Sequence, residues 1–107
     1  MKIAIAGYGY VGKAHQVILQ NYYNLEIADT GIEEYNNTVS SDVDAVIICV
    51  ATPQHPDGAC NINHVYEVIE TCPDVPILIK STISVDGWRM IAESFPQASL
   101  TYSPEFL

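Results

Sequence analysis

The run Gly7-Tyr8-Gly9-Tyr10-Val11-Gly12 follows directly on the apolar stretch Ile3-Ala4-Ile5-Ala6, and no other feature constrains the fold as tightly. Three glycines in six residues recur by chance, so the spacing alone is weak. Its surroundings strengthen it. Lys2 to Ala6 reads as a buried strand, Val11 to Tyr22 as a helix, and Leu25 to Ala28 as a second strand ending at Asp29. Asp29 lies about seventeen residues beyond Gly12, where a strand–turn–helix–strand unit that holds a dinucleotide carries its ribose-binding acid. In that reading Gly7 permits the tight turn, Gly9 lets backbone N–H groups approach a pyrophosphate, and Gly12 lets the helix sit close to the strand. Phosphates would then lie at the helix start, where unpaired N–H groups and the helix dipole favour negative charge.

A chain of 107 residues, 49% of them apolar and 16% charged, is expected to be one globular domain. Thirteen acids against four basic residues give a net charge of −9. That balance argues against nucleic acid and anionic membranes as partners, because both call for a basic surface. It also means that a phosphate must be held by backbone N–H groups, since Arg89 is the sole arginine. The first apolar run stops at Gly7, too short for a signal peptide, and no later run is long enough to span a bilayer. A soluble cytoplasmic protein is the expectation, with oligomeric state left open.

Beyond Asp29 the chain keeps an alternating rhythm. Ala45 to Val50 is the strongest strand, β-branched and continuous, as a strand buried on both faces should be. Asn61 or Asn63 caps a helix through Thr71, with Ile62, Val65, Tyr66 and Ile69 on one stripe. Ile77 to Lys80 is a fourth strand. Ser84 or Asp86 caps a last helix reaching about Phe95, against the weakening effect of Gly87 in its first turn. Ser99 to Tyr102 closes the series. Five strands with helical crossovers predict an α/β fold, a doubly wound parallel sheet of the Rossmann-like kind. The joint from Asp29 to Ala45 is lean, and one short helix near Ile32 to Tyr35 is expected in it.

Five places fall at strand ends and so face one crevice: the glycine turn, Asp29, Thr52-Pro53, Lys80-Ser81-Thr82 and Ser103-Pro104-Glu105. Asp29 either accepts the hydroxyls of an adenosine ribose, which favours NAD over NADP, or merely caps the next turn. Thr52-Pro53 either touches the cofactor or ends a strand. Lys80 is expected to snorkel to water. Thr82 and Glu105 are candidates to orient a water or move a proton. Tyr8 and Tyr10, inside the turn, are placed to shield a cofactor, and Tyr22-Tyr23 at a helix end read as packing residues. No pair among His15, His55 and His64 has metal-ligand spacing, so no metal is expected and all three read as surface or packing residues. Cys49 reads as inert core, Cys60 as a loop residue with no motif to make it catalytic, and Cys72 as a helix end; no C-x-x-C occurs.

Taken together, these motifs resemble one family, the UDP-glucose/GDP-mannose dehydrogenases, in their N-terminal NAD-binding domain. The resemblance rests on Lys2 to Gly12, on Ile48-Cys49-Val50-Ala51-Thr52-Pro53 followed by Asp57-Gly58, on Lys80-Ser81-Thr82-Ile83, and on Ser103-Pro104-Glu105-Phe106-Leu107. The family oxidises the C6 alcohol of a nucleotide sugar to a carboxylate, with two hydride transfers to NAD. The resemblance therefore implies NAD as cofactor and UDP-glucose as the sugar nucleotide. It implies cofactor contacts from Gly7, Gly9, Tyr10, Val11, Gly12, Asp29, Thr52, Pro53 and Thr82, catalytic roles for Thr82 and Glu105, and substrate contact from Glu105, Phe106 and Leu107.

Residues 1–107 would correspond to the dinucleotide-binding domain, ending before the substrate domain. Two departures stand out. Most of the family's long insertion after Asp29 is missing, and Cys49, Cys60 and Cys72 match none of the family's catalytic cysteine motif. The chain by itself is therefore expected not to turn over a nucleotide sugar. The competing readings are a stand-alone NAD-binding or regulatory module without turnover, and another dehydrogenase on the same fold.

Overall fold

The computed structural model describes residues 1–53, 56 and 61–104. Five strands, β1 (Lys2–Ala6), β2 (Asn24–Ala28), β3 (Ala45–Ile48), β4 (Ile77–Ile79) and β5 (Leu100–Tyr102), form one sheet in the order β2-β1-β3-β4-β5. Every pairing is parallel, with Ile5 between Ile27 and Ile47, and Ile48 opposite Ile79. Three helices, α1 (Tyr10–Leu19), α2 (Asn63–Thr71) and α3 (Val85–Ser94), supply connections. The expected α/β Rossmann-like sheet is the one observed. Strand order reverses between β1 and β3, and that is where a crevice opens.

Residues alternate across the sheet and so sort into two layers. Ala4, Ala6, Ala28, Val46, Ile48, Ile77 and Ile79 pack with Val65 and Ile69 of α2 and Ile91 of α3. Small alanines in β1 leave room for Val39 and Val43, which come from the β2–β3 connection and join the same cluster. On the opposite face Ile5 is fully buried. α1 lies over it, close enough that a Cβ on Gly12 would stand 3.4 Å from Ile5 Cγ2.

The helix starts show which cap competes best. Ser84 Oγ accepts from the Gly87 N–H at 3.0 Å, so Ser84 and not Asp86 caps α3. Gly87 costs helix propensity but suits its place: an added Cβ would meet Ile62 Cγ2 at 3.0 Å, so α3 and the start of α2 approach closely there. At α2 neither expected asparagine is the cap: Ile62 occupies that position without a side-chain bond, and the side chain of Asn61, one residue earlier, accepts from the Asn63 N–H at 3.0 Å.

Two sequence expectations are corrected here. Residues 32–35 form a turn, with the Tyr35 N–H donating to the Ile32 carbonyl at 3.2 Å, and no helix. The segment then extends, and Asn36 makes a parallel bridge to Ala28. The Asp29 N–H, donating to the Asn36 carbonyl at 2.9 Å, takes the strand edge as its partner. The connection is further tied down by β2 and β1. Glu26 accepts from both the backbone N–H of Ser40 (2.8 Å) and its hydroxyl (2.5 Å). Lys2 Nζ reaches Asp42 at 2.9 Å and Glu26 at 3.5 Å. The second correction concerns Lys80. It is 9% exposed and donates to Ser103 Oγ at 3.1 Å, whereas a snorkelling lysine would be largely exposed.

Candidate functional site

A crevice of about 820 Å³ opens over the carboxyl ends of β1, β2, β3 and β4. It brings together the glycine turn, Asp29, Thr52 and the Lys80-Ser81-Thr82 segment.

The turn is shaped by its three glycines in different ways. Gly7 has φ +97°, in the region that glycine enters without strain, and a Cβ there would meet the Cys49 carbonyl carbon at 2.6 Å. Gly12 is buried in α1, and a Cβ there would overlap the Gly7 carbonyl oxygen. Gly9 is the opposite case. A Cβ on it would meet nothing within 4 Å, so the space above the start of α1 is open. Gly9 is the N-cap, no side chain caps the helix, and its first turn carries no acid. The backbone N–H groups of that turn therefore face open space with no carboxylate competing for it, an arrangement that fits a phosphate.

Asp29 closes the turn from the side. Its Oδ2 accepts from the Tyr8 N–H and its Oδ1 from the Gly31 N–H, both at 2.7 Å. The turn-capping role weighed for this residue is thus present. It leaves lone pairs on both oxygens for further donors, because each carboxylate oxygen accepts more than one hydrogen bond. The Tyr8 ring meets the Tyr35 ring edge-on at 5.3 Å, its hydroxyl donates to Gln16, and Lys13 Nζ stands 5.4 Å from its centroid. Partial burial, with Tyr8 next in effect, pushes the Tyr35 hydroxyl above the usual tyrosine range. Tyr10 is 88% exposed at the crevice rim.

The far wall is built by hydrogen bonds around Thr82. The Thr52 hydroxyl donates to the Thr82 carbonyl at 2.5 Å, and the Ser81 hydroxyl donates to the Val50 carbonyl at 2.7 Å. The Tyr102 hydroxyl accepts from the Ile83 N–H at 2.9 Å and donates to the Ile83 carbonyl at 2.8 Å. Trp88 stacks on Tyr102 with centroids 5.4 Å apart. Tyr102 thereby fixes the residue that follows Thr82.

The remaining candidates are placed as follows. Gly12 lies beneath the turn and does not line the crevice. Pro53 is exposed just outside it, its carbonyl accepting from the Asn61 N–H at 2.8 Å. Glu105, Phe106 and Leu107 fall outside the described residues, as do His55, Asp57, Gly58 and Cys60. Cys49, expected as inert core, is only partly buried and lines the crevice, because β3 ends two residues earlier than the sequence suggests. Cys72 ends α2, where burial pushes its thiol above the usual range. His64, read as a surface or packing residue, is exposed at the crevice edge beside Glu67. Among the described residues there is no group of His, Cys, Asp and Glu that would hold a metal, and no helix long and apolar enough to cross a membrane.

No family model matches the sequence. The chain is 29% identical to a UDP-glucose 6-dehydrogenase of Streptococcus pneumoniae, over all of this chain and 36% of that protein. It is 26% identical to a UDP-glucose 6-dehydrogenase of Campylobacter jejuni, over all of this chain and 37% of that one. The chain thus spans about a third of the length of the curated relatives it matches. The first of these alignments is 143 positions long against 107 residues here, so the relative carries segments that this chain lacks. Among solved structures, a UDP-glucose dehydrogenase from the archaeon Pyrobaculum islandicum superposes with a TM-score of 0.67 at 19% identity, over 99% of this chain and 36% of the other. A UDP-D-ManNAc dehydrogenase from Pyrococcus horikoshii gives 0.71 at 18% identity, over 100% and 37%. Those two likenesses concern the fold.

Proposed function

We propose that this chain is the counterpart of the N-terminal domain of the UDP-glucose dehydrogenases it resembles, and that it holds NAD across the carboxyl ends of its sheet. The observation that carries the proposal is the Asp29–Tyr8 hydrogen bond, which sets a carboxylate beside a glycine turn with open space over a helix start. Asp29 would receive the ribose hydroxyls of the adenosine half. The N–H groups after Gly9 would receive the pyrophosphate, and Thr52 and Thr82 would line the nicotinamide side. The cofactor, when bound, supplies the acceptor for a hydride. This chain's residues bind and orient it: the aspartate selects a free ribose by repelling a 2′-phosphate, and the Tyr102 clamp holds Thr82 in place.

In the same proposal the domain serves oxidation of the C6 alcohol of a nucleotide sugar, UDP-glucose, in the cytoplasm, with Glu105, Phe106 and Leu107 reaching toward that substrate. Thr82 and Glu105 would position a water or move a proton. The chain alone is proposed not to complete the reaction. Taking an alcohol to an acid through a covalent adduct needs an activated thiolate, and burial disfavours the thiolate at Cys72.

Calorimetric titration of the purified chain with NAD and with NADP tests the cofactor reading: NAD is expected to bind, and NADP at least ten-fold more weakly. Equal binding would remove Asp29 from its role. Steady NADH production from UDP-glucose and NAD would overturn the claim of inactivity and make Cys60 the first residue to replace.

A further inference from the structure

α1 is apolar on both sides. Its inward side buries Gly12 and half-buries Val11 and Leu19. Its outward side shows Tyr10, Ala14, Val17 and Ile18, of which Tyr10, Val17 and Ile18 are 88%, 65% and 63% exposed. At 3.6 residues per turn these four lie on one arc. Tyr22, 77% exposed, stands just beyond the helix end. A helix with two apolar sides is normally covered on both. α2 and α3 differ in charge: exposed Glu67 and Glu70 mark α2, and on α3 exposed Asp86, Arg89 and Glu93 stand among exposed Val85 and Met90.

Charge singles out the same face. None of the thirteen acids lies in residues 1–25, and the first is Glu26. Two of the four basic residues, Lys2 and Lys13, lie in that stretch. A net charge of −9 opposes contact between copies of this chain almost everywhere on its surface. α1 itself carries no acid, so two copies can meet helix to helix without a carboxylate of one α1 facing a carboxylate of the other, and acids farther away are screened beyond about 8 Å at physiological salt.

The exposed side chains offer on the order of 500 Å² per copy. That falls short of the roughly 800 Å² per partner of a standard interface and suits a reversible one. We propose that the outward face of α1 is a self-association surface, on which a second copy docks α1 against α1 about a two-fold axis. The proposal does not depend on the cofactor reading, although Tyr10 borders both the crevice and this face.

Sedimentation velocity of the 107-residue chain, over about 5 to 200 µM at physiological salt, is the test. The weight-average mass is expected to rise with concentration toward that of a dimer. Val17→Asp, at an exposed site, should keep the native circular dichroism and remain monomeric. Ile18→Ser should weaken association about ten-fold, roughly the loss of one apolar contact. Val85→Asp, at a more exposed site on α3, should associate like the parent chain. A parent chain that stays monomeric throughout would overturn the proposal, and so would a Val17→Asp chain that still associates. Association that falls as salt is raised would also overturn it, since that result would place Lys13 on an acidic face of the second copy.

Discussion

The carboxylate of Asp29 and the backbone N–H of Tyr8 lie 2.7 Å apart, so the end of β2 and the glycine turn after β1 are one unit. The same side chain also holds the Gly31 N–H. Asp29→Asn keeps an acceptor but loses the charge and one of the two acceptor oxygens. NAD affinity is expected to fall about ten-fold, and discrimination against NADP to shrink by a similar factor, measured by paired titrations. Thermal stability should drop by about 1–2 kcal/mol.

Gly9 and Gly12 should respond in opposite ways to the same small change. Gly9→Ala puts a methyl group into open space, so the melting temperature should stay within about 2 °C while NAD affinity falls at least ten-fold. Gly12→Ala drives its Cβ into the Gly7 carbonyl oxygen and should cost about 3 kcal/mol or more. Denaturant titration of both variants separates a ligand-facing glycine from a packing one.

Tyr102→Phe removes a hydroxyl that bonds both the N–H and the carbonyl of Ile83. The loss should be about 1–3 kcal/mol in denaturant titration. Because Trp88 stacks on this ring, its fluorescence should change little if the ring stays put. NAD affinity should nonetheless fall, since Thr82 adjoins the released residue. An unaltered affinity would make Tyr102 a purely structural residue.

Acid stability has a local contributor at the opposite end of the strands. The hydrogen bond from Lys2 holds the Asp42 carboxyl below its ordinary value, and the same bond raises Lys2. A carboxyl lowered by folding stabilises above its unfolded pKa of about 3.9, and the benefit is lost as pH falls through the folded value. Asp42→Asn should therefore be less stable than the parent chain at pH 7. The two should converge as pH falls through the folded value, as thermal melts across pH will read.

Much of the fold can be read locally. Strand ends, helix stripes and the glycine turn depend on neighbours in sequence, and all five strands lie within two residues of where the apolar runs place them. The exceptions come from contacts across the sheet. Residues 32–35 carry enough helical character to suggest a helix, yet Asn36 finds a partner in Ala28 and the chain runs beside the strand instead. Lys80 resembles any lysine at a strand end until Ser103, just past the end of neighbouring β5, gives its ammonium group a partner. Tyr102 went unread as part of the site because an aromatic in a short strand looks like core filling. Its distinguishing signal is a hydroxyl that must find partners once the ring packs against Trp88.

At the Gly7–Gly12 contact, main chain rests on main chain with no side chain between, and this corner has no hinge. Strand and helix lack any rotamer that could absorb a displacement, so a ligand pushing on the turn would have to move β1 and α1 together. Across the crevice the joints are of another kind: the Thr52 hydroxyl meets the Thr82 carbonyl and the Ser81 hydroxyl meets the Val50 carbonyl, so side-chain rotamers lie between the segments there. The corner is therefore a fixed reference, and a dinucleotide seated on the turn would take its position from the backbone of β1 and α1 together.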